Sequence, residues 1–259
     1  MLAVLLLLLV LEPAHSAPVS APVSGLQSLP GRAEVRAIKG TATYSLTNGG
    51  PQRPLKVGTV LRSHAVVTTG AESTVDLFMG LSAGVIRIAE KSRLSLDKLT
   101  LTDTGADTAV EVQLHLPDGE MYFNVNKLSK ASRYEVKMPN GVAGIRGTKG
   151  SFSSRVGGVR PPIVLLDGRL VFVHAAPNGT VTSYTLNAPP AVYFTPGGGV
   201  QDAPPEMTLS TTEQVKDVST KATPPAPNPP PPKTQPPPPT LSPGTGSKQQ
   251  STPPPPPPE

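Results

Sequence analysis

A chain of 259 residues with no cysteine cannot be a disulfide scaffold, a thiolate metal centre or a cysteine hydrolase, and an exported domain of this kind must bury its own core. Between Ala17 and Val200 there are 19 Lys and Arg against 12 Asp and Glu, an excess that favours acidic surfaces such as anionic glycan or lipid. The bases are scattered and aromatics make up only 4% of the chain, which argues against nucleic acid, whose single strands need stacking platforms.

The N-terminus opens with LAVLLLLLVL at 2–11, too short to cross a bilayer, then Glu12-Pro13 and the small residues Ala14 and Ser16. This reads as a signal peptide over 1–16, without the usual basic leader, with a mature start near Ala17 and a short linker to residue 32. Residues 33–200 then read as one all-β domain of about fourteen short strands. AEVRAIK departs from strict alternation between Val35 and Ile38. TVDLFM sets Val75, Leu77 and Met79 on one face, and RLSLDKLTL holds its pattern only with a slip between Leu96 and Leu99. VEVQLHL is the clearest half-buried strand, with Val110, Val112, Leu114 and Leu116 inward. Asp118-Gly119 and Asp167-Gly168 predict hairpins, and Asn48-Gly49-Gly50 and Asn178-Gly179 predict further turns. NKLSKASR at 126–133 has room for one helical turn, but no amphipathic helix is expected. Residues 201–259 contain 20 of the 34 prolines and read as a disordered, proline-rich spacer of polyproline II character. Regular short strands with glycine turns suit a β-solenoid, a sandwich or a barrel, and periodicity leaves all three open.

Several strings resemble catalytic motifs. Ser95-Leu96-Asp97-Lys98 spells S-x-x-K, but strict alternation puts Ser95 and Lys98 on opposite faces of a strand. Gly144-Ile145-Arg146-Gly147 spells the G-x-x-G of a nucleic-acid clamp, yet strands flank it where helices are needed. Gly147-Thr148-Lys149 has Thr and Lys in the wrong order for a phosphate loop. His64, His115 and His174 lack metal-ligand spacing and are expected to be solvated. A hidden carboxylate pair would require two acids facing one groove. Non-enzymatic function without metal or cofactor is the expectation.

Taken in order, IKGTATYS (38–45), PLKVGTVLRSHAVVTTGAESTVDLFM (54–79), GVIRIAEKSRLSLDKL (84–99), PDGEMYFNVNKLSKASRYEVKMPNGVAGIRGTKGSF (117–152) and IVLLDGRLVFV (163–173) resemble the FecR domain family of bacterial envelope proteins. The residues that carry the resemblance most specifically are Thr69, Gly70 and Ser73, and then Gly144, Arg146, Gly147 and Thr148. The resemblance implies a non-enzymatic, β-solenoid-like domain in the periplasm or at the cell surface. Its best-known members sit in a membrane and signal to a sigma factor. This sequence shows neither their membrane span nor their cytoplasmic anti-sigma segment. The implied partner is an envelope protein or peptidoglycan or another glycan, with no nucleic acid and with oligomeric state left open. The alternative is a periplasmic sensing component of a FecR-type signalling system. Arg146, with five donors, is expected to bridge carbonyls or a carboxylate between neighbouring strands.

Overall fold

The computed structural model describes residues 28–103, 107–155 and 161–222. The signal-peptide segment, most of the linker and the long proline tracts lie outside these residues. Two sheets carry nearly everything. Sheet A runs from β4 (Arg53–Pro54) through β3 (Ala42–Ser45), β6 (Val66–Thr69), β9 (Arg93–Asp103), β10 (Thr108–Asp118), β12 (Arg133–Met138) and β13 (Gly141–Ile145) to β15 (Ile163–Ala175) and β16 (Val181–Ala188). A short β1 (Ser28–Pro30) pairs with the far end of β9. Sheet B runs from β5 (Val60–Leu61) through β2 (Ala33–Lys39), β7 (Thr74–Phe78), β8 (Val85–Ile88), β11 (Glu120–Asn124) and β14 (Lys149–Ser153) to β15 again, then β17 (Val192–Thr195) and β18 (Gly199–Asp202).

The chain passes repeatedly from one sheet to the other, so the two form one folded-over surface around a common core. That core joins Leu94, Leu114, Val136 and Phe172 of sheet A to Val75, Ile86, Phe123 and Phe152 of sheet B. Every pairing is antiparallel except β10 with β12. These two run parallel because the chain between them leaves sheet A, serves as β11 in sheet B and returns, which is the crossover a parallel pair needs. The described residues hold eighteen strands against about fourteen expected, and the pieces of two or three residues, β1, β4 and β5, make up most of the difference.

Both irregularities in the alternation are β-bulges. The register of β2 against β7 shifts between Val35 and Ala37, and that of β9 against β10 shifts at Asp97. The second shift corrects the expectation for Ser95 and Lys98. They pair with His115 and Gln113, two residues apart on β10, so they share the outer face. Each is engaged elsewhere: Ser95 Oγ donates to Asp97 Oδ1 at 2.7 Å, and Lys98 Nζ lies 2.7 Å from Glu111.

The two Asp-Gly steps are corners rather than hairpins. β10 and β11, on either side of Gly119, pair with other strands and not with each other. Residues 163–175 form a single strand. Ile163–Leu165 pair with β14 and β17 in sheet B, and beyond Gly168 the strand pairs with β13 and β16 in sheet A. Asp-Gly permits a left-handed step, and the tertiary pairing decides whether that step folds a hairpin or bends a strand between sheets. Met138 and Gly141 do close a hairpin, and so do Ala175 and Val181 around Asn178, whose Oδ1 accepts the Thr180 amide at 3.0 Å. The 126–133 segment forms no helix and enters β12 through a tight turn at Lys130 and Ala131, closed by the Ser132 amide donating to the Ser129 carbonyl at 3.1 Å.

An element assigned to the tail is instead part of the fold. The helix α1 (Pro205–Ala222) follows β18 and lies on the outer face of sheet B. Thr211, Val215, Val218 and Ala222 form its buried stripe at helical spacing. Val218 and Ala222 join Val85 and Phe78, and Val215 joins Ala89, Tyr122 and Leu166. The proline at its first position, Glu206 in the first turn and Lys221 in the last suit the helix ends and dipole.

Candidate functional site

Sheet B strands end in two stacks of corners, and the family motif residues are divided between them. At one end Thr69, Gly70 and Ser73 are packed among hydroxyl side chains. The Ser73 hydroxyl accepts the Thr41 amide at 2.9 Å, and the Gly70 amide donates to the Thr41 carbonyl at 2.9 Å. Thr69 Oγ1 donates to the Ala89 carbonyl at 2.6 Å and accepts the Ser92 amide at 3.0 Å. Ser92 Oγ in turn accepts the Glu120 amide at 2.9 Å, and the Ser154 amide reaches the Gly119 carbonyl at 2.9 Å. Successive corners at 41, 70–73, 89–92, 119–120 and 154 are thus bonded one to the next. Thr69 and Ser73 are buried and use their hydroxyls internally. Gly119, at φ +105°, completes the stack because a Cβ there would come within 2.2 Å of the Ser92 hydroxyl oxygen.

Gly147 and Thr148 belong to the other end. The Thr148 amide and carbonyl both bond Val125, at 3.1 and 2.9 Å. Gly168 has φ +92°, and a Cβ there would lie 2.2 Å from the Gly147 carbonyl oxygen. These two corners therefore touch backbone to backbone, where no side chain fits. Sequence analysis grouped Gly144, Arg146, Gly147 and Thr148 as one unit, and the structure separates them. Gly147 and Thr148 form a corner, whereas Gly144 and Arg146 face outward from β13 and its end. Arg146 is exposed and donates to the Lys130 carbonyl at 2.8 Å and, more weakly, the Ser129 carbonyl at 3.4 Å. The expected carbonyl contacts exist, but they tie a loop to the sheet rather than strand to strand.

Two of the depressions on the outer surface border charged side chains of interest. One, of about 480 Å³, is bordered by Lys39, Glu72, Arg87, Glu90, Glu120 and Arg155 beside α1. Acids therefore do share a groove, as a hidden carboxylate pair would require. Of these the Glu90 carboxylate is engaged within the fold, its Oε2 accepting the Glu72 backbone amide at 2.7 Å, while Arg155 donates to the Glu90 backbone carbonyl and Glu120 is buried. Arg87 is spent on clamping the helix. It holds Asp76 through two bonds of 2.6 and 2.7 Å, Asp217 at 2.7 Å and Gln214 at 3.0 Å. Burial alone would lower the Arg87 pKa, but the Asp76 and Asp217 carboxylates outweigh it and raise the value. The Asp217 carboxyl is held below its ordinary range, by Lys221 first and also by Arg87, against the opposing effect of burial. Asp76, Arg87 and Asp217 are not among the residues expected from the sequence. Asp76 and Arg87 sit at polar positions of alternating strands, and only α1 makes that face an interior.

The second depression, of about 390 Å³, lies on the outer face of sheet A, bordered by Arg133, Glu135, Gly144, Arg146, Arg169 and Val171. Arg133 Nε lies 2.7 Å from Glu135, whose hydrogen bond and charge raise the arginine pKa, with a smaller push from Glu111. His174 corrects the expectation of solvated histidines. It is buried at the inner face of β15, 5.4 Å from the Phe194 ring and 5.8 Å from Phe172. Among the described residues no group of three or more His, Asp or Glu is placed to hold a metal ion, and no helix is long and apolar enough to cross a membrane.

Fold and corners together define an all-β domain whose polar motif residues serve its own turns. Residues 65–171 match the family model described as FecR protein. Over that span, less than half of the chain, the sequence is similar to a signalling-related family whose members are typically envelope proteins. The matched span runs from the start of β6 into β15 and includes both corner stacks except the corner at 41, while β1 to β5, β16 to β18 and α1 lie outside it. No curated protein and no solved structure matches the chain.

Proposed function

We propose that this is an exported, non-enzymatic FecR-domain protein that acts as a binding and scaffold module in the periplasm or cell envelope. The 33–200 domain contacts an envelope protein or cell-wall glycan, and the proline-rich tract serves as its spacer or as a partner contact. One observation carries this reading. Thr69, Gly70, Ser73, Gly147 and Thr148 are consumed by internal corners, whereas Gly144 and Arg146 border an open, arginine-lined depression on an uncovered sheet face. Recognition by that face uses what the fold leaves available. The test is retention of the purified chain by envelope fractions and by isolated peptidoglycan. Recovery with either supports the reading, and recovery with neither removes it.

A second reading, a sensing component of a FecR-type cell-surface signalling system, is favoured by the family match itself. It expects a gene for a sigma factor or an outer-membrane receptor beside this one. A neighbourhood without either counts against it.

A further inference from the structure

The register of sheet A sets three arginines side by side. Glu135 pairs with Gly144 between β12 and β13, and Ile145 pairs with Leu170 between β13 and β15. Continuing the same registers by one or two residues brings Arg133 level with Arg146, and Arg146 level with Arg169. All three are exposed, and they fall on the outer face because Tyr134, Ile145 and Leu170 beside them are buried inward. Glu111, paired with Arg133, closes one end of the row, and Asn187, paired with Arg169, closes the other. Side chains directly across strands stand about 4.5–5.5 Å apart at Cβ, and like charges so placed destabilise a sheet.

Relief of that repulsion is uneven. Arg133 has Glu135, and Arg146 has the Ser129 and Lys130 carbonyls. Arg169 has no hydrogen-bond or ion-pair partner among the described residues. The adjoining outward row is Gln113, Glu135, Gly144, Val171 and Thr185. At Gly144 a Cβ would meet only the Val171 carbonyl oxygen, at 3.8 Å, so the backbone does not demand glycine there. Its missing side chain instead opens the depression beside the arginines. On β16 the outward side chains continue as Asn187, Thr185 and Ser183, all exposed and neutral.

We propose that this trough binds an oxyanion-bearing glycan, whose carboxylate, sulfate or phosphate group sits among Arg133, Arg146 and Arg169 while its hydroxyls meet the Asn187, Thr185 and Ser183 row. This rests on the envelope-binding reading above and names its ligand class. Arginine forks match a planar or tetrahedral oxyanion bidentately, and the anion offsets the charge that the sheet aligns. Neutral hydroxyl and amide side chains at every second position of β16 suit a sugar chain better than an acidic peptide, which has few hydroxyls to offer them.

The test uses the full chain with alginate as a carboxylate probe, dextran sulfate as a sulfate probe, and neutral dextran and polyglutamate as comparisons, by calorimetry at low salt. Wild type is expected to bind at least one anionic glycan, to ignore neutral dextran, and to weaken as salt rises. Arg169→Gln, which breaks no contact within the fold, is expected to weaken binding about tenfold, with an unchanged melting temperature. No binding to either anionic glycan overturns the proposal. So does wild-type affinity in both Arg169→Gln and Arg146→Gln. Polyglutamate binding as tightly, with the same dependence on Arg169, assigns the trough to acidic peptide and also overturns it. Envelope retention of Arg169→Gln separates the two readings. If that variant is retained as well as wild type, envelope binding stands and the trough is not its site. If wild type itself is not retained, the broader reading fails as well.

Discussion

Arginine appears on the outer faces of both sheets, under opposite conditions. On sheet B, Arg87 is covered by α1 and bonded to Asp76, Asp217 and Gln214. On sheet A, Arg133, Arg146 and Arg169 line an uncovered depression, and only the first has a carboxylate. A buried guanidinium without acceptors costs several kcal/mol, so sheet B supplies a full set and a helix to enclose them. An exposed one costs little, so sheet A tolerates arginines in a row, at the expense of mutual repulsion. The helical face is thus built for cohesion. The open face leaves its arginines exposed to solvent.

The contrast breaks most severely at Asp76. Asp76→Ala leaves Arg87 buried with only its helix partners, and a loss of about 3–5 kcal/mol is expected in denaturant unfolding. A loss under about 1 kcal/mol would mean that Arg87 is not held as the buried geometry indicates. Gly168→Ala comes next. It places a Cβ 2.2 Å from the Gly147 carbonyl oxygen at φ +92°, and about 2–3 kcal/mol or more should be lost. Melting at wild-type temperature would show that the corners do not meet backbone to backbone. Tyr134→Phe works in the other direction. The Tyr134 hydroxyl is buried without a hydrogen-bond partner, and burial pushes its pKa upward. Removing it should raise stability by up to about 1 kcal/mol, measurable as a small gain in melting temperature. Arg146→Ala removes only exposed bonds to loop carbonyls, and a loss of about 0.5–1 kcal/mol is expected. A larger loss would move Arg146 from the recognition face to the cohesive one.

Acid sharpens the same contrast. The Asp217 pKa is depressed in the folded chain, so its stabilisation is fully present above the ordinary carboxylate value and is lost as pH falls through the depressed one. Hydrogen exchange across that window should show α1 loosening while sheet A amides stay protected. Simultaneous loss of both would mean that the helix and the sheets form one cooperative unit.

Much of this was legible in the chain, for identifiable reasons. The alternation in VEVQLHL gave β10 its inward face, and the two interruptions, near Val35 and at Asp97, marked the bulges that the registers contain. The order of motifs located the family. Four things were hidden. Asp-Gly fixes a backbone step but not its partner strands, so Gly119 and Gly168 read as hairpins when they turn between sheets. The stripe Thr211, Val215, Val218 and Ala222 lay in the sequence at helical spacing. It was masked by averaging residues 201–222 with the prolines that follow. Asp76 and Arg87 read as solvent-facing because no single strand reveals that a helix will cover it. The arginine row was hidden for the same kind of reason: its members are 13 and 23 residues apart, and only pairing brings them level.

The single strand β15 has a consequence for how the molecule can be made. It borders β13 and β16 in one sheet and β14 and β17 in the other, so neither layer is complete until residues 163–175 have been delivered. A chain emerging N-terminus first must wait with β13 and β14 unpaired along one edge. Pairing this distant in sequence is slow to form. During synthesis the incomplete domain therefore presents the open edges of β13 and β14, and arrival of this one segment covers both.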